Sequence, residues 1–558
     1  MLHQHNYLKR LVSAALLLLL AACGGGANLE QASASITAQG LAAQIKILSS
    51  DAFEGRAPAT PGGRRTTDYL QEQFAALGLL PGNGDSYLQE VPLVQITTRH
   101  VVPLTFTGGG QTVRARPGDD YIAESESLTE SMGLDASQVV FVGYGIVAPE
   151  FGWDDYAGLD AAGKTVVALV NDPGYASRDP DLFSGNAMTY YGRWTYKFEE
   201  AARQGARAVL VIHETGPAGY PWQVIGGGAS RPYSVLASQG GEPSRPPVQG
   251  WITDDLARRV FAHAGADFDA LKAQALSPDF RPVLLELTTT LTLESSFDYS
   301  SANNVLGLLP GSKRPDEIVI YMAHWDHLGV DSGLTGDQIF NGALDNATGT
   351  AALLQLAGAF QALGTPPARS ILFLATTAEE QGLLGSLYYG THPVYPLNKT
   401  VGAVNIDGLN IYGQMNDIIV VGHGYSELDD YAADAAADQG RHIVPDPLPE
   451  KGYFFRSDHF SLAKQGVPAL YFDNGVDHVE HGREWTLARM ESYTAERYHK
   501  VGDEFDPDWD LSGAVDDIRL FFALGHRLAS ESTFPNWYEG NAFRAARDKM
   551  MQSPATGN

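Results

Sequence analysis

Apolar positions along this chain follow two rhythms, one helical and one of strands. Leu41, Ile45 and Leu48 recur at helical spacing from about Ile36, and Tyr69, Leu70, Phe74 and Leu77 repeat the pattern ahead of Gly78, placed as a C-terminal stop. The spacing predicts two amphipathic helices, with a loop through Gly55-Arg56 and Pro61-Gly62-Gly63 between them. Strand signals follow at 87–94 and 101–106. From about residue 110 to 290 Gly and Pro become frequent and strand runs such as 139–142 and 165–170 dominate, with one helix at 196–204 feeding a strand at 208–212. Strand and helix then alternate from 304–309 to about residue 530, and Leu353, Leu356, Phe360 and Leu363 keep core spacing in one of those helices. This pattern predicts an α/β protein, a mixed sheet sandwiched by helices, interrupted by an inserted and mainly β domain. The expected divisions are a leader at 1–22, a tether at 23–36, a principal domain in two parts at 37–110 and 291–545, the insert at 111–290, and a tail at 546–558.

The length of 558 residues agrees with two cores rather than one. A net charge of −28 argues against nucleic acid as a partner, because phosphate is met by basic patches. Acidity of this size keeps a protein soluble and attracts cationic amino groups. At the N-terminus, Lys9-Arg10 precede the apolar run 11–22, the pattern of a signal peptide. That run is shorter than the roughly 20 residues a membrane-spanning helix needs. It ends in Leu20-Ala21-Ala22-Cys23-Gly24, which resembles a bacterial lipobox, and Cys23 is the only cysteine. The resemblance implies an exported bacterial lipoprotein, lipidated at Cys23 and attached to a membrane through that lipid alone. Gly24, in place of an aspartate, favours the outer membrane.

Candidate chemistry gathers where apolar runs end. Residues 318–323 lead to His324 and Asp326, 371–375 to Glu379-Glu380, and 401–406 to Asp407, while Asp345 lies in a glycine-flanked turn that opens a helix. Open α/β sheets collect ligands at the carboxyl ends of their strands, and imidazoles mixed with carboxylates suit divalent metals, zinc first. His324 and Asp326 are two apart, so an extended chain turns both to one side and lets Asp326 orient the imidazole. His327, one further, is expected to face away as a loop histidine. Asp345, which also suits an N-cap, is the candidate bridge between two metals about 3.5–4 Å apart. Adjacent side chains diverge, so one of Glu379 and Glu380 is free to bind metal while the other accepts a proton. Asp407 is placed to complete the first metal. The second histidine stays open on spacing alone among His459, His478, His481 and His499.

Ala323-His-Trp-Asp-His-Leu-Gly329, Gly342-Ala-Leu-Asp-Asn-Ala-Thr-Gly349, Ala378-Glu-Glu-Gln-Gly-Leu-Leu-Gly-Ser386, Asn405-Ile-Asp-Gly408, Arg456-Ser-Asp-His459 and Tyr498-His-Lys-Val-Gly-Asp503 together resemble the M28 family of zinc metallopeptidases. The flanks Leu48-Ser-Ser-Asp-Ala-Phe-Glu-Gly-Arg56 and Trp509-Asp-Leu-Ser-Gly513 resemble it too, and the insert looks like a protease-associated (PA) domain through Phe141-Val-Gly-Tyr-Gly145 and 189–199. The resemblance implies the phosphorylase/hydrolase-like fold of zinc exopeptidases, two Zn2+ per chain with other divalent metals possible, and peptide substrates. By position it implies His324, Asp345 and Asp407 on one zinc, and Asp345, Glu380 and His499 on the other, with His481 as a rival to His499. Glu379 matches the general base, Asp326 the partner of His324, and Asp503 an acid behind the ligands. A tyrosine that binds the oxyanion in some members falls near Tyr453, one residue out of register, and Leu344 stands where many relatives carry an aspartate. Tyr453, Arg456 and Trp485 are candidate pocket residues. The implied activity is that of an aminopeptidase. The alternatives are a glutaminyl cyclase with one zinc, a carboxypeptidase, and a PA-bearing binding protein without catalysis.

Overall fold

The computed structural model describes residues 28–225, 232–237 and 245–552. Cys23, the leader at 1–22 and the last residues, 553–558, lie outside the described residues. The chain divides into two compact units. The first takes the chain up to Val91, Ala302–Asp446 and everything from Ser457; the second takes Pro92–Ser301 and Pro447–Arg456. The divisions therefore fall at 91/92 and 301/302 rather than at 110/111 and 290/291. The reason is that the strands Leu88–Gly108 and Val283–Leu309 each run on from one unit into the other.

The first unit is built on a mixed sheet. Arg314–His324 lies between Arg369–Thr376 and Thr400–Ile406 and is parallel to both; Ala469–Asp473 continues the parallel set beyond Thr400–Ile406. The end of Val283–Leu309 pairs antiparallel with Arg369–Thr376, and Asp417–Val421 pairs antiparallel with Ala469–Asp473 and parallel with His442–Pro445. Parallel strands covered on both faces read as unbroken apolar runs. Arg314–His324 shows why: Val319, Tyr321 and Ala323 enter one core with Phe360, Phe373 and Phe522, while Ile318, Ile320 and Met322 enter another with Leu374, Tyr389 and Leu462. The first face is covered by the helices Ala38–Leu48, Thr348–Ala362 and Ser512–Ser530. Thr37 caps Ala38–Leu48 by accepting from Gly40 N at 3.1 Å, and Leu41, Ile45 and Leu48 are its buried stripe. The expected tail at 546–558 is in part a packed helix, Arg544–Gln552. Arg547 is buried there and donates to Thr400 O at 3.0 Å, and Trp537 ahead of it is fully buried.

The second unit has its own core of Val140, Val166, Phe198, Val209, Val211 and Trp251. The end of Ser131–Phe141, Thr165–Leu169, Ala208–His213 and Val248–Thr253 form a parallel run, edged by Tyr121–Glu124 and by the start of Val283–Leu309. The expectation of a mainly β insert understates its helices, because parallel neighbours need crossovers. Trp194–Arg203 is such a helix, joining Thr165–Leu169 to Ala208–His213, and Asp254–His263 follows the last strand of the run. Among the described residues no helix is long and apolar enough to cross a membrane.

Candidate metal centre

Three of the parallel strands of the first unit end level with one another, His324 opposite Thr376 and Met322 opposite Asn405. Their continuations carry the histidines and acids into one place. His324 Nε2 lies 3.0 Å from Asp407 Oδ1 and 3.3 Å from Asp345 Oδ1. His499 Nε2 lies 3.2 Å from Asp345 Oδ2 and 3.1 Å from Glu380 Oε2. Asp345 thus turns one oxygen to each histidine. Donors around a tetrahedral ion with bonds of about 2.0–2.1 Å stand about 3.3 Å apart, so each of these histidine–carboxylate pairs has the spacing of neighbours in a coordination shell. The residues present fit divalent metal: among the described residues His324 with Glu379 and Asp407, and His327 with Asp345 and Glu380, are groups that could each hold an ion.

Electrostatics point the same way. Burial opposes charge on His324, yet Asp407 and Glu379 hold its pKa well above the usual value, and His499 is raised to about 10 by Asp345 and Glu380 against the same penalty. Asp345 faces a burial penalty too, but bonds from both histidines keep it well below the ordinary carboxylate range. Carboxylates that draw positive charge onto both imidazoles in this way would equally attract a metal cation, whose binding displaces protons from its ligands. Glu379 sits with His324 and Asp407, their ligating atoms within 4.8 Å of one another. Burial, together with Asp407, Glu380 and Asp458, pushes its pKa well above the usual glutamate value.

Support behind these groups is dense. Asp326 is fully buried; its backbone oxygen faces His324 Nδ1 at 3.1 Å, whereas its carboxylate accepts from Glu379 N at 3.1 Å and Glu380 N at 3.4 Å. It therefore fixes the glutamate pair as well as the imidazole. Asp503 accepts from Leu344 N and Asp345 N, each at 3.1 Å, and so caps the turn that carries the bridging carboxylate. Ser457 donates to Asp407 Oδ2 at 2.5 Å, and Asn405 donates to Ser457 in turn.

Some placements differ from expectation. His327 does not face away: it is fully buried with Nδ1 2.6 Å from Glu380 Oε1. The chain leaves its strand at His324, so strand alternation no longer holds at His327. His481 stacks on His478 and Trp485, with ring centres 4.7 and 4.6 Å away. Tyr453 and Arg456 fall in the second unit, and Trp485 lies on the first unit's helix Gly482–Glu496. Two contributors had weak signals. Tyr498 stacks on His499 at 3.9 Å with its hydroxyl in the field of Asp345 and Glu380. Arg56 is buried and donates to Trp325 O, Asn341 O and Gly342 O at 2.7–2.8 Å, tying together the loops after His324 and before Asp345. The Gly55 before it is a clue, since a Cβ there would stand 2.4 Å from Gly329 O.

Residues 304–523 match Peptidase family M28. Aminopeptidase YwaD of Bacillus subtilis is 33% identical over 221 residues, 38% of this chain and 45% of that protein. Leupeptin-inactivating enzyme 1 of Streptomyces exfoliatus is 28% identical over 199 residues, 35% of this chain and 40% of its own. Aminopeptidase NAALADL1 of Mus musculus is 33% identical over 122 residues, 21% of this chain and 15% of that protein. The chain thus spans less than half the length of these curated relatives. Among solved structures, an aminopeptidase from Aneurinibacillus sp. strain AM-1 aligns over 91% of this chain and 97% of its own, with TM-score 0.48 and 18% identity. The M28-matching segment contains every residue of the metal centre described above except Arg56.

Proposed function

We propose that this protein is a zinc-dependent exopeptidase, an aminopeptidase that removes N-terminal residues from peptides. The observation that carries the proposal is Asp345 set between His324 with Asp407 and His499 with Glu380, each at coordination-shell spacing, with Glu379 beside His324 and Asp407. The M28 match and relatives named as aminopeptidases support the choice of reaction. Bound at these donors, divalent metal supplies Lewis-acid polarisation of the scissile carbonyl and a lowered pKa for the attacking water. Glu379 accepts the proton of that water and returns it to the departing amine, a task suited to a carboxylate whose pKa burial has raised. Asp326 holds Glu379 in place through its backbone N–H. Tyr498, stacked on His499, offers a hydroxyl to the oxyanion.

A peptide panel blocked at one terminus at a time, run with metal analysis, tests the reading. Cleavage should stop when the amino terminus is acetylated and persist when the carboxyl terminus is amidated, with about two zinc per chain. The opposite pattern would make it a carboxypeptidase, and pyroglutamate formation with one zinc would make it a cyclase. Absence of metal and of turnover after zinc addition would leave a binding protein. The second unit is proposed as a PA-type domain. The N-terminus is proposed as that of an exported lipoprotein, and fractionation of wild type against Cys23→Ala checks it: equal membrane recovery would remove the lipid anchor.

A further inference from the structure

Several arginines in the second unit are answered by acids, and others, such as Arg207, by backbone oxygens. Arg245 meets Glu126 and Glu199 at 3.4 and 3.3 Å, Arg203 meets Glu200 at 2.8 Å, and Arg258 meets Asp254 and Asp269. Arg193 and Arg456 depart from this pattern. Arg193 is 9% exposed, and its Nε is enclosed without an acceptor. Arg456 has both Nε and Nη2 enclosed without one. Among the described residues, the groups that act on the Arg193 guanidinium are Arg456, which repels it, and the Tyr220 hydroxyl, with no carboxylate among them. Burial first, then Arg456, lowers its pKa to about 10.

Both guanidinium groups converge on one turn. The Tyr220 hydroxyl lies in the field of both. Arg456 Nη2 stands 3.9 Å from where a Cβ on Gly219 would be, and Lys451 reaches within 3.8 Å of the same point. Lys451 Nζ faces Gly219 O at 3.4 Å, and Arg456 rests over the Tyr453 ring at 5.6 Å. A buried donor left unmade costs about 1–3 kcal/mol, more when charged, and a neighbouring like charge adds to that. Among the described residues no carboxylate is paired with either guanidinium, so the arrangement suits an anion that arrives from outside. Nε and Nη2 of one arginine form the edge whose two N–H bonds run parallel, which matches the two oxygens of a carboxylate.

We propose that Arg193 and Arg456 form a carboxylate-binding site in the second unit, fitted to the free carboxyl group of a peptide. The peptide as source of that carboxylate rests on the peptidase reading; the anion chemistry does not. Calorimetric titration of the full chain with N-acetylglycylglycine, with its C-terminal amide and with sulfate tests it without turnover. The acid should bind at least about ten-fold tighter than the amide, and Arg193→Gln and Arg456→Gln should each remove the preference. Arg456→Lys, which keeps the charge but loses the fork, should weaken it. The melting temperature of ligand-free Arg193→Gln should equal or exceed that of wild type, because a repelling charge has gone. Equal binding of acid and amide, a preference that survives the variants, or a fall in melting temperature as for a purely structural arginine would overturn the proposal. Sulfate binding without carboxylate binding would overturn it in favour of an inorganic oxyanion site.

Discussion

In the second unit Lys197 is enclosed with Asp172 and Asp155, whereas in the first unit Asp345, Glu380, Asp407 and Glu379 face imidazoles and no ammonium. The Lys197 group is closed. Its Nζ donates to Tyr191 O at 2.6 Å; Asp172 accepts from Gly174 N, Tyr175 N and Thr189, and Asp155 from Ile146 N and Trp153 Nε1. Burial pulls Lys197 down and both aspartates up, and their mutual attraction opposes that. The first unit gathers more carboxylates than its histidines and Arg56 can neutralise. The difference separates two uses of buried charge: a chain that supplies its own counter-ion builds a fixed scaffold, while one that leaves acids in excess at a strand edge leaves room for an exchangeable cation.

The strongest test of that distinction is Glu379→Gln. Glutamine keeps the shape and removes the base, so turnover should fall about 10²–10⁴-fold while metal content by elemental analysis stays the same. Activity within ten-fold of wild type would take the proton-transfer role away from Glu379. In the closed cluster, Lys197→Met should instead act on stability. Removing one partner of a buried ion pair costs about 3–5 kcal/mol, to be read from denaturant unfolding. A loss below about 1 kcal/mol would mean that Asp155 and Asp172 are already neutral in the fold.

Metal removal sharpens the contrast further. Chelation should lower the midpoint of unfolding, and zinc at about 1,000 times its dissociation constant should restore about 4 kcal/mol. Asp345→Ala should lose that response altogether and Glu380→Ala only in part, whereas Lys197→Met should retain it. An unchanged zinc response in Asp345→Ala would show that Asp345 does not link the two histidines.

How far each cluster was legible depends on where its order comes from. His324, Glu379-Glu380 and Asp407 follow apolar runs directly, so the period of the strands announced them. His499 has φ of 56° on a loop with no periodicity, and only resemblance to a family singled it out. His327 was misplaced because alternation was carried past the end of a strand. Arg56 reaches the site from nearly 270 residues away in sequence, across a contact no local pattern encodes. The Lys197 cluster left no mark at all: a lysine in the helix Trp194–Arg203 reads as a solvated position until the packing around it is known. The domain limits were blurred for a related reason, since a strand shared by two units gives one apolar pattern and no boundary.

Asp429 offers a third arrangement, a buried carboxylate with backbone donors in place of a lysine or a histidine–acid network. It lies in the helix Leu428–Asp438, accepts from Gly424 N at 2.5 Å, and is raised to about 6 by burial, which the Gly424 bond and His423 only partly offset. Its folded pKa lies above the unfolded value of about 3.9, so between those values the native state holds more protons than the unfolded one. The contribution to stability is therefore full below about pH 4 and is lost as pH rises through about 6. Asp429→Asn cannot titrate, so the stability of wild type relative to the variant should fall by about 2–3 kcal/mol from pH 4 to pH 7. Denaturant unfolding of both proteins across that range measures it. A difference that stays level with pH would show that backbone donors alone can answer a buried carboxylate, and a closed cluster would then need no lysine.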